Sequence, residues 1–291
     1  MEILRYSAFT DDPDGGNPAG IVLDADGLAD ADMQRIAAEV GYSETAFLTG
    51  HDPRRRTATV RYFSPLAEVP FCGHATIATA VAYAERFGDG DIALDAPVGR
   101  IPIQTRDGSA TLQSVAARSA GIDGSDVARL LEALRYDTGD LDGEIPVRAA
   151  FAGAWHPIVA VRERGRLARL DYDVEALRRL MAERDWTTVD LVWRESETVF
   201  HARNPFPPGG VYEDPATGAA AAAFGGYLTE LGLVPLPATV TVHQGHDMGR
   251  PSLLRVGLEE GQNPKVSGRA IQICNTNQIC NADERWPKRK G

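Results

Sequence analysis

Two stretches of this chain have no side that can face water. Ala75-Thr-Ile-Ala-Thr-Ala-Val-Ala-Tyr-Ala84 and Ala219-Ala-Ala-Ala-Ala-Phe-Gly-Gly-Tyr-Leu228 each run for about three helical turns without a charged residue. A helix that is apolar around its whole circumference must be surrounded by other protein. Neither run approaches the ~18 residues of a membrane span, so the rest of the chain has to supply the wrapping. Segments rich in Val, Ile, Thr and Phe stand ready for that on both sides: 57–64, 92–94 and 100–104 around the first, and 198–203, 238–243 and 253–256 around the second.

The two stretches belong to a wider doubling. Tyr83 and Tyr227 are 144 residues apart, as are Gly88 and Gly232. Met33, Ile36 and Ala37 precede Leu177, Leu180 and Met181 by the same interval, an i, i+3, i+4 stripe in each case. Asn17-Pro18 is echoed by His156-Pro157 at 139, and Gly99-Arg100 by Gly249-Arg250 at 150. Four echoes in the same order predict an α+β chain of two pseudo-equivalent halves. Each half is a curved, mostly antiparallel sheet wrapped around one central buried helix, with amphipathic helices over 32–40 and 174–184 outside. The halves are expected at 1–118 and 119–265, with a crossover near 117–126 leading to a helix over 127–134, and 266–273 returning to the first half. Residues 274–291, Asn-rich and then basic, read as a disordered or added tail.

Charge and composition remove several functions. A formal net charge of −11 argues against nucleic acid as a partner. Only three lysines are present, all at or after position 265, so neither a Schiff-base lysine nor a phosphate-loop lysine is expected. The three cysteines, at 72, 274 and 280, form neither a CxxC pair nor a disulfide framework, and the first residues carry no secretory pattern. These features predict a cytoplasmic protein with no membrane partner.

The chemistry gathers where the apolar helices begin. Phe71-Cys72-Gly73-His74-Ala75-Thr76 enters the first and Glu213-Asp214-Pro215-Ala216-Thr217-Gly218-Ala219 the second. Two helix N-termini meeting over a cleft offer unpaired N–H groups and partial positive charge to a carboxylate, without any lysine. Glu44, in Gly41-Tyr42-Ser43-Glu44-Thr45-Ala46-Phe47, opens an apolar strand. A carboxylate placed there is partly desolvated, the condition that suits such a group to proton transfer. Cys72 reads as a small buried hydrophobe, Arg54-Arg55-Arg56 as a charged turn, and Gly249–Ser252 as a turn between strands. His243 and His246 read as strand-end and loop residues rather than a metal pair; no metal is expected.

These segments resemble the phenazine-biosynthesis isomerase-like (PhzF-like) family, which has the diaminopimelate-epimerase fold. The resemblance rests on residues 11–22 with Gly16-Asn17-Pro18, Ser43–Phe47, Tyr62-Phe63-Ser64-Pro65, both helix entries, and Gln244-Gly245 with Gly249-Arg250-Pro251-Ser252. It spans residues 3 to 273 or so. It implies a cofactor-free, dimeric isomerase that moves a proton within a small carboxylate substrate, as in the isomerisation of trans-2,3-dihydro-3-hydroxyanthranilate. Glu44 matches the proton-moving carboxylate, and His74 and Asp214 match its catalytic partners. Asn17, Gln244, Gly245 and Thr217 match the substrate site, with backbone of Gly73, Gly218 and Ala219 on the carboxylate. Ala219 stands where the family usually has Ser, so the substrate is expected to differ. An amino-acid epimerase of the same fold, or a non-catalytic small-molecule binder, is the alternative; two-thiol epimerases of this fold need a second Cys that the Glu213–Ala219 segment lacks.

Overall fold

The computed structural model describes residues 1–273; the tail at 274–291 lies outside the described residues. Both apolar stretches are helices, Gly73–Phe87 and Gly218–Glu230, and every side chain from His74 to Ala84 is buried. They share one core, which joins Ala75, Ile77, Ala78 and Tyr83 to Ala222, Phe224, Tyr227 and Leu228. The Ala-rich composition is what lets strands approach both helices closely. At Gly225 a Cβ would lie 2.7 Å from Val256, and at Gly226 2.2 Å from the Cβ of Ala117. Two glycines inside a helix cost about 0.5–1 kcal/mol each in propensity, and close packing is the compensating gain.

The two halves repeat strand by strand. In the first, Asn17–Val22 pairs in parallel with Glu44–Asp52, which pairs antiparallel with Thr57–Phe63. Thr57–Phe63 leads through the short strand Glu68–Val69 into the central helix, then pairs in parallel with Gly90–Ala96. In the second, Trp155–Val161, Asp190–Arg194 and Val199–Pro205 pair in the same senses. The chain then passes through Glu213–Asp214 into the helix, and Val199–Pro205 pairs in parallel with Ala238–Gln244. Gly99 and Gly249, both at positive φ, turn the hairpin that follows in each half.

The outer helices Asp30–Val40 and Val174–Arg184 bury the three residues that the period had marked: Met33, Ile36 and Ala37 in one, Leu177, Leu180 and Met181 in the other. Burying a side chain of the larger kind stabilises by about 1.5–3 kcal/mol. Among the described residues the second half adds two further helices, the short Arg164–Ala168 and Gly124–Leu134, whose Leu130, Leu131 and Leu134 pack against Leu177 and Leu180. The crossover segment holds a short strand, Arg118–Gly121, paired with Arg148–Phe151. The last described strand, Lys265–Gln272, pairs with Ser109–Gln113, Leu4–Ala8 and Ser252–Leu258, so it is bonded to strands on both sides of the duplication.

The triple arginine is a turn, with one addition. Arg56 donates to the carbonyls of Phe87, Gly88 and Asp91 at 2.6–3.2 Å, occupying acceptors at and just beyond the end of the first central helix. Arg250 likewise donates to the carbonyls of Gly15 and Gly16 at 2.6 and 2.8 Å, tying the second hairpin to the loop before Asn17.

Candidate active site

The starts of the two central helices touch. A Cβ built on Gly73 would lie 4.0 Å from the Cα of Gly218. The N-cap residues are Cys72 and Thr217, and neither side chain caps its helix. The N–H groups of the first turns are therefore presented to whatever lies between the tips. At the N-cap position corresponding to Cys72 the second half carries the hydroxyl of Thr217, so among the described residues no second thiol stands at the helix tips.

Glu44 is brought to the first tip by register. It is the first residue of its strand and pairs opposite Ala19, so it shares a face with Asn17 two residues earlier on the neighbouring strand. Its Oε2 lies 3.4 Å from His74 Nε2 and 3.4 Å from Cys72 Sγ. The Asn17 amide N–H groups donate to Asp214 Oδ1 at 2.8 Å and to the Ala216 carbonyl at 3.1 Å, which fixes the amide orientation. His74 Nδ1 is 3.2 Å from the same nitrogen, and its Nε2 is turned towards Glu44. Loss of hydration pushes the Asp214 carboxyl up to about 6, against the opposing pull of His74 and of donors Thr217 and Asn17. Burial and the nearby Glu44 push the Cys72 thiol up.

Asp214 owes its place to a buried ion pair. Glu213 accepts from Arg203 through both carboxylate oxygens, at 2.9 and 2.5 Å, and pins the Glu213–Asp214 strand to Val199–Pro205. Gln244 is buried and braces the helix entry. Its Nε2 donates to the Asp214 carbonyl and Thr217 Oγ1, and its Oε1 accepts from the Thr217 N–H, all at 2.8–3.0 Å. Gly245, at φ +75°, packs against the carbonyls of Pro215 and Arg250, where a Cβ would lie within 2.8 Å. Glu44, His74, Asp214, Asn17, Thr217 and the two glycine tips thus converge. Gln244 and Gly245 support that group from behind, and Ala219 lies in the first turn of the second helix.

The duplication carries a second polar centre that the sequence reading missed. Ile158 pairs opposite Asp190 as Ala19 pairs opposite Glu44, so Asp190 is the counterpart of Glu44 and His156 that of Asn17. His156, Thr188, Asp190 and Asn204 are all buried. His156 Nδ1 lies 2.8 Å from Thr188 Oγ1, which accepts from Asn204 at 3.1 Å, and the Asn204 side chain also hydrogen-bonds Asp190. Burial pushes Asp190 up to about 7 and His156 down to about 4. The only advance signal was the Asn17/His156 echo.

His243 and His246 gain a neighbour from tertiary structure. His201 sits opposite His243 in the parallel register, with ring centroids 5.0 Å apart, and His246 is 5.4 Å from His243. The strand-face neighbours Phe200 and Val242 point into the core around the central helices, so this trio lies on the other face, away from the tips.

Comparison with known proteins gives the family of the chain. A family model for "Phenazine biosynthesis-like protein" matches residues 6–276. The chain is 32% identical to the trans-2,3-dihydro-3-hydroxyanthranilate isomerase of Pseudomonas fluorescens, over 91% of this chain and 90% of that one. It is 32% identical to an uncharacterized isomerase of Deinococcus radiodurans, over 98% and 95% of the two chains. The crystal structure of the Bacillus anthracis phenazine biosynthesis protein of the PhzF family superposes with a TM-score of 0.82 at 27% identity, covering 94% of this chain and 98% of that one. A hydroxyproline epimerase from Agrobacterium vitis shares the fold, with a TM-score of 0.64 at 16% identity over 93% and 90% of the chains. The chain belongs to the phenazine biosynthesis-like (PhzF) family of isomerases.

Proposed function

We propose that this protein isomerises a small unsaturated carboxylic acid by moving one proton through Glu44, without an organic cofactor. The observation that carries the reading is the carboxylate of Glu44, 3.4 Å from His74 Nε2, beside two uncapped helix starts in contact. Glu44 takes a proton from a carbon next to the unsaturated system, the double bond shifts, and the same carboxyl returns the proton at the far carbon. One C–H bond breaks and one forms, with no change in oxidation state. The N–H groups at Gly73, Gly218 and Ala219 hold the substrate carboxylate and take up the negative charge that develops. His74 and Asp214 orient the remaining polar groups, and Asn17 holds those two side chains together.

The Pseudomonas fluorescens relative makes trans-2,3-dihydro-3-hydroxyanthranilate the first compound to test. Turnover in deuterated water should place deuterium on a ring carbon. Glu44→Gln should fold and bind with wild-type behaviour while turnover falls by at least the ~10²-fold of a lost general base. A Glu44→Gln protein with wild-type turnover would refute the assignment.

A further inference from the structure

Arg250 is bonded to both sides of the cleft. Its backbone N–H donates to the Gly245 carbonyl at 2.9 Å, and Gly245 packs against the Pro215 carbonyl at the entry to the second helix. Its guanidinium crosses to the first half, where Nε donates to the Gly16 carbonyl at 2.8 Å and Nη2 to the Gly15 carbonyl at 2.6 Å. Pro251 adds a further tie, accepting from the Gly16 N–H at 3.0 Å. Among the described residues no carboxylate pairs with this guanidinium, so its charge-assisted bonds are directed at backbone carbonyls. A rigid fork on two successive carbonyls fixes the orientation of both peptide planes, which the single flexible ammonium of a lysine does not do.

The second of those planes is the one that enters Asn17. The Asn17 amide in turn donates to Asp214 Oδ1 and to the Ala216 carbonyl, and lies 3.2 Å from His74 Nδ1. We propose that Arg250 is a positioning residue of the active site: by gripping the Gly15 and Gly16 carbonyls it holds the Asn17 amide in place between Asp214 and His74. The hairpin of the second half thereby sets the first-half side chain that spans the cleft. A displacement of about 1 Å at a catalytic constellation can cost ~10²-fold in rate. The inference rests on the proposed function for its effect on turnover, and on the hydrogen bonds alone for its effect on Asp214.

The Asp214 carboxyl reports the Asn17 bond without any substrate. It faces Asn17, Thr217, His74 and Glu44, with Cys72 nearby, and the Asn17 donor favours its ionised form. Carbon-13 carboxyl NMR, with Asp214→Asn to assign the signal, should show Asp214 titrating at higher pH in Asn17→Ala than in the wild type. Arg250→Gln should shift it in the same direction, with His74, Glu44, Thr217 and Cys72 unchanged in every protein. Arg250→Lys, which keeps the charge and loses the fork, should fall between Arg250→Gln and wild type, and carries the test if Arg250→Gln does not fold. With trans-2,3-dihydro-3-hydroxyanthranilate, Arg250→Gln and Asn17→Ala should each lower kcat at least about 10-fold. The double variant should stay within about 3-fold of the less active single one, whereas independent effects would multiply to about 100-fold. A wild-type Asp214 titration in Arg250→Gln, or in Arg250→Lys where the first does not fold, overturns the proposal, as do losses of kcat that multiply. Should no unsaturated acid be turned over, the isomerase mechanism fails and the titration alone decides the role of Arg250.

Discussion

Replacing Asp190 by asparagine should stabilise this protein at neutral and alkaline pH, although it removes a charged residue from the counterpart of Glu44. Asp190 is 3% exposed, its hydrogen-bonding neighbour is the neutral Asn204, and burial raises its pKa from 3.8 to about 7. A raised carboxyl pKa means that the folded state holds the proton more tightly than the unfolded chain. That stabilisation is complete below pH 3.8 and is lost as the pH rises to about 7. Each pKa unit corresponds to 1.36 kcal/mol, so the loss is on the order of 4 kcal/mol once both states are ionised. Asparagine keeps the shape and an acceptor for Asn204 but does not titrate. Urea unfolding of both proteins at pH 4, 6 and 8 should give similar stabilities at pH 4, with the variant more stable by about 4 kcal/mol at pH 8. Groups common to both proteins cancel in the difference. A constant gap across that range would refute the reasoning, because it would mean that Asp190 does not keep its proton in the folded state.

Two further predictions concern packing. Glu213→Gln should destabilise by about 3–5 kcal/mol in denaturant unfolding, because it leaves the Arg203 guanidinium buried without its partner; Arg203→Met with Glu213→Leu should recover most of that loss. Gly226→Ala should destabilise by about 1–3 kcal/mol in the same assay despite the better helix former, since the new methyl would lie 2.2 Å from the Ala117 side chain.

The elements and site residues readable from the sequence are those whose signal is local. A helix without a polar face announces its burial, and the i, i+3, i+4 stripes name Met33, Ile36 and Ala37 before any coordinate does. Gly41 in left-handed conformation ends the helix Asp30–Val40 where a glycine after an amphipathic run is expected to end it. Glu44, His74 and Asp214 stand in short runs of unusual composition, so they could be singled out without knowing their distances. Strand limits are less accurate, by up to two residues, because strand ends are decided by partners: 92–94 lengthens to Gly90–Ala96 through its pairing with Gly99–Arg106.

Sequence alone thus determined the two enclosed helices and the segments that open them, which depend on composition within about 15 residues, and the doubling, which shows as echoes 139 to 150 residues apart. Tertiary structure decided which distant groups share a volume. Val189-Asp190-Leu191-Val192 is not singled out in the sequence, and only its register against Ile158 makes Asp190 the counterpart of Glu44. Cys72 reads as a small apolar residue until Glu44, 28 residues away, is laid against its sulfur. His201 joins His243 by strand pairing across 42 residues. Periodicity says which face a side chain takes, but the neighbour on that face is chosen by how strands far apart in the chain come into register.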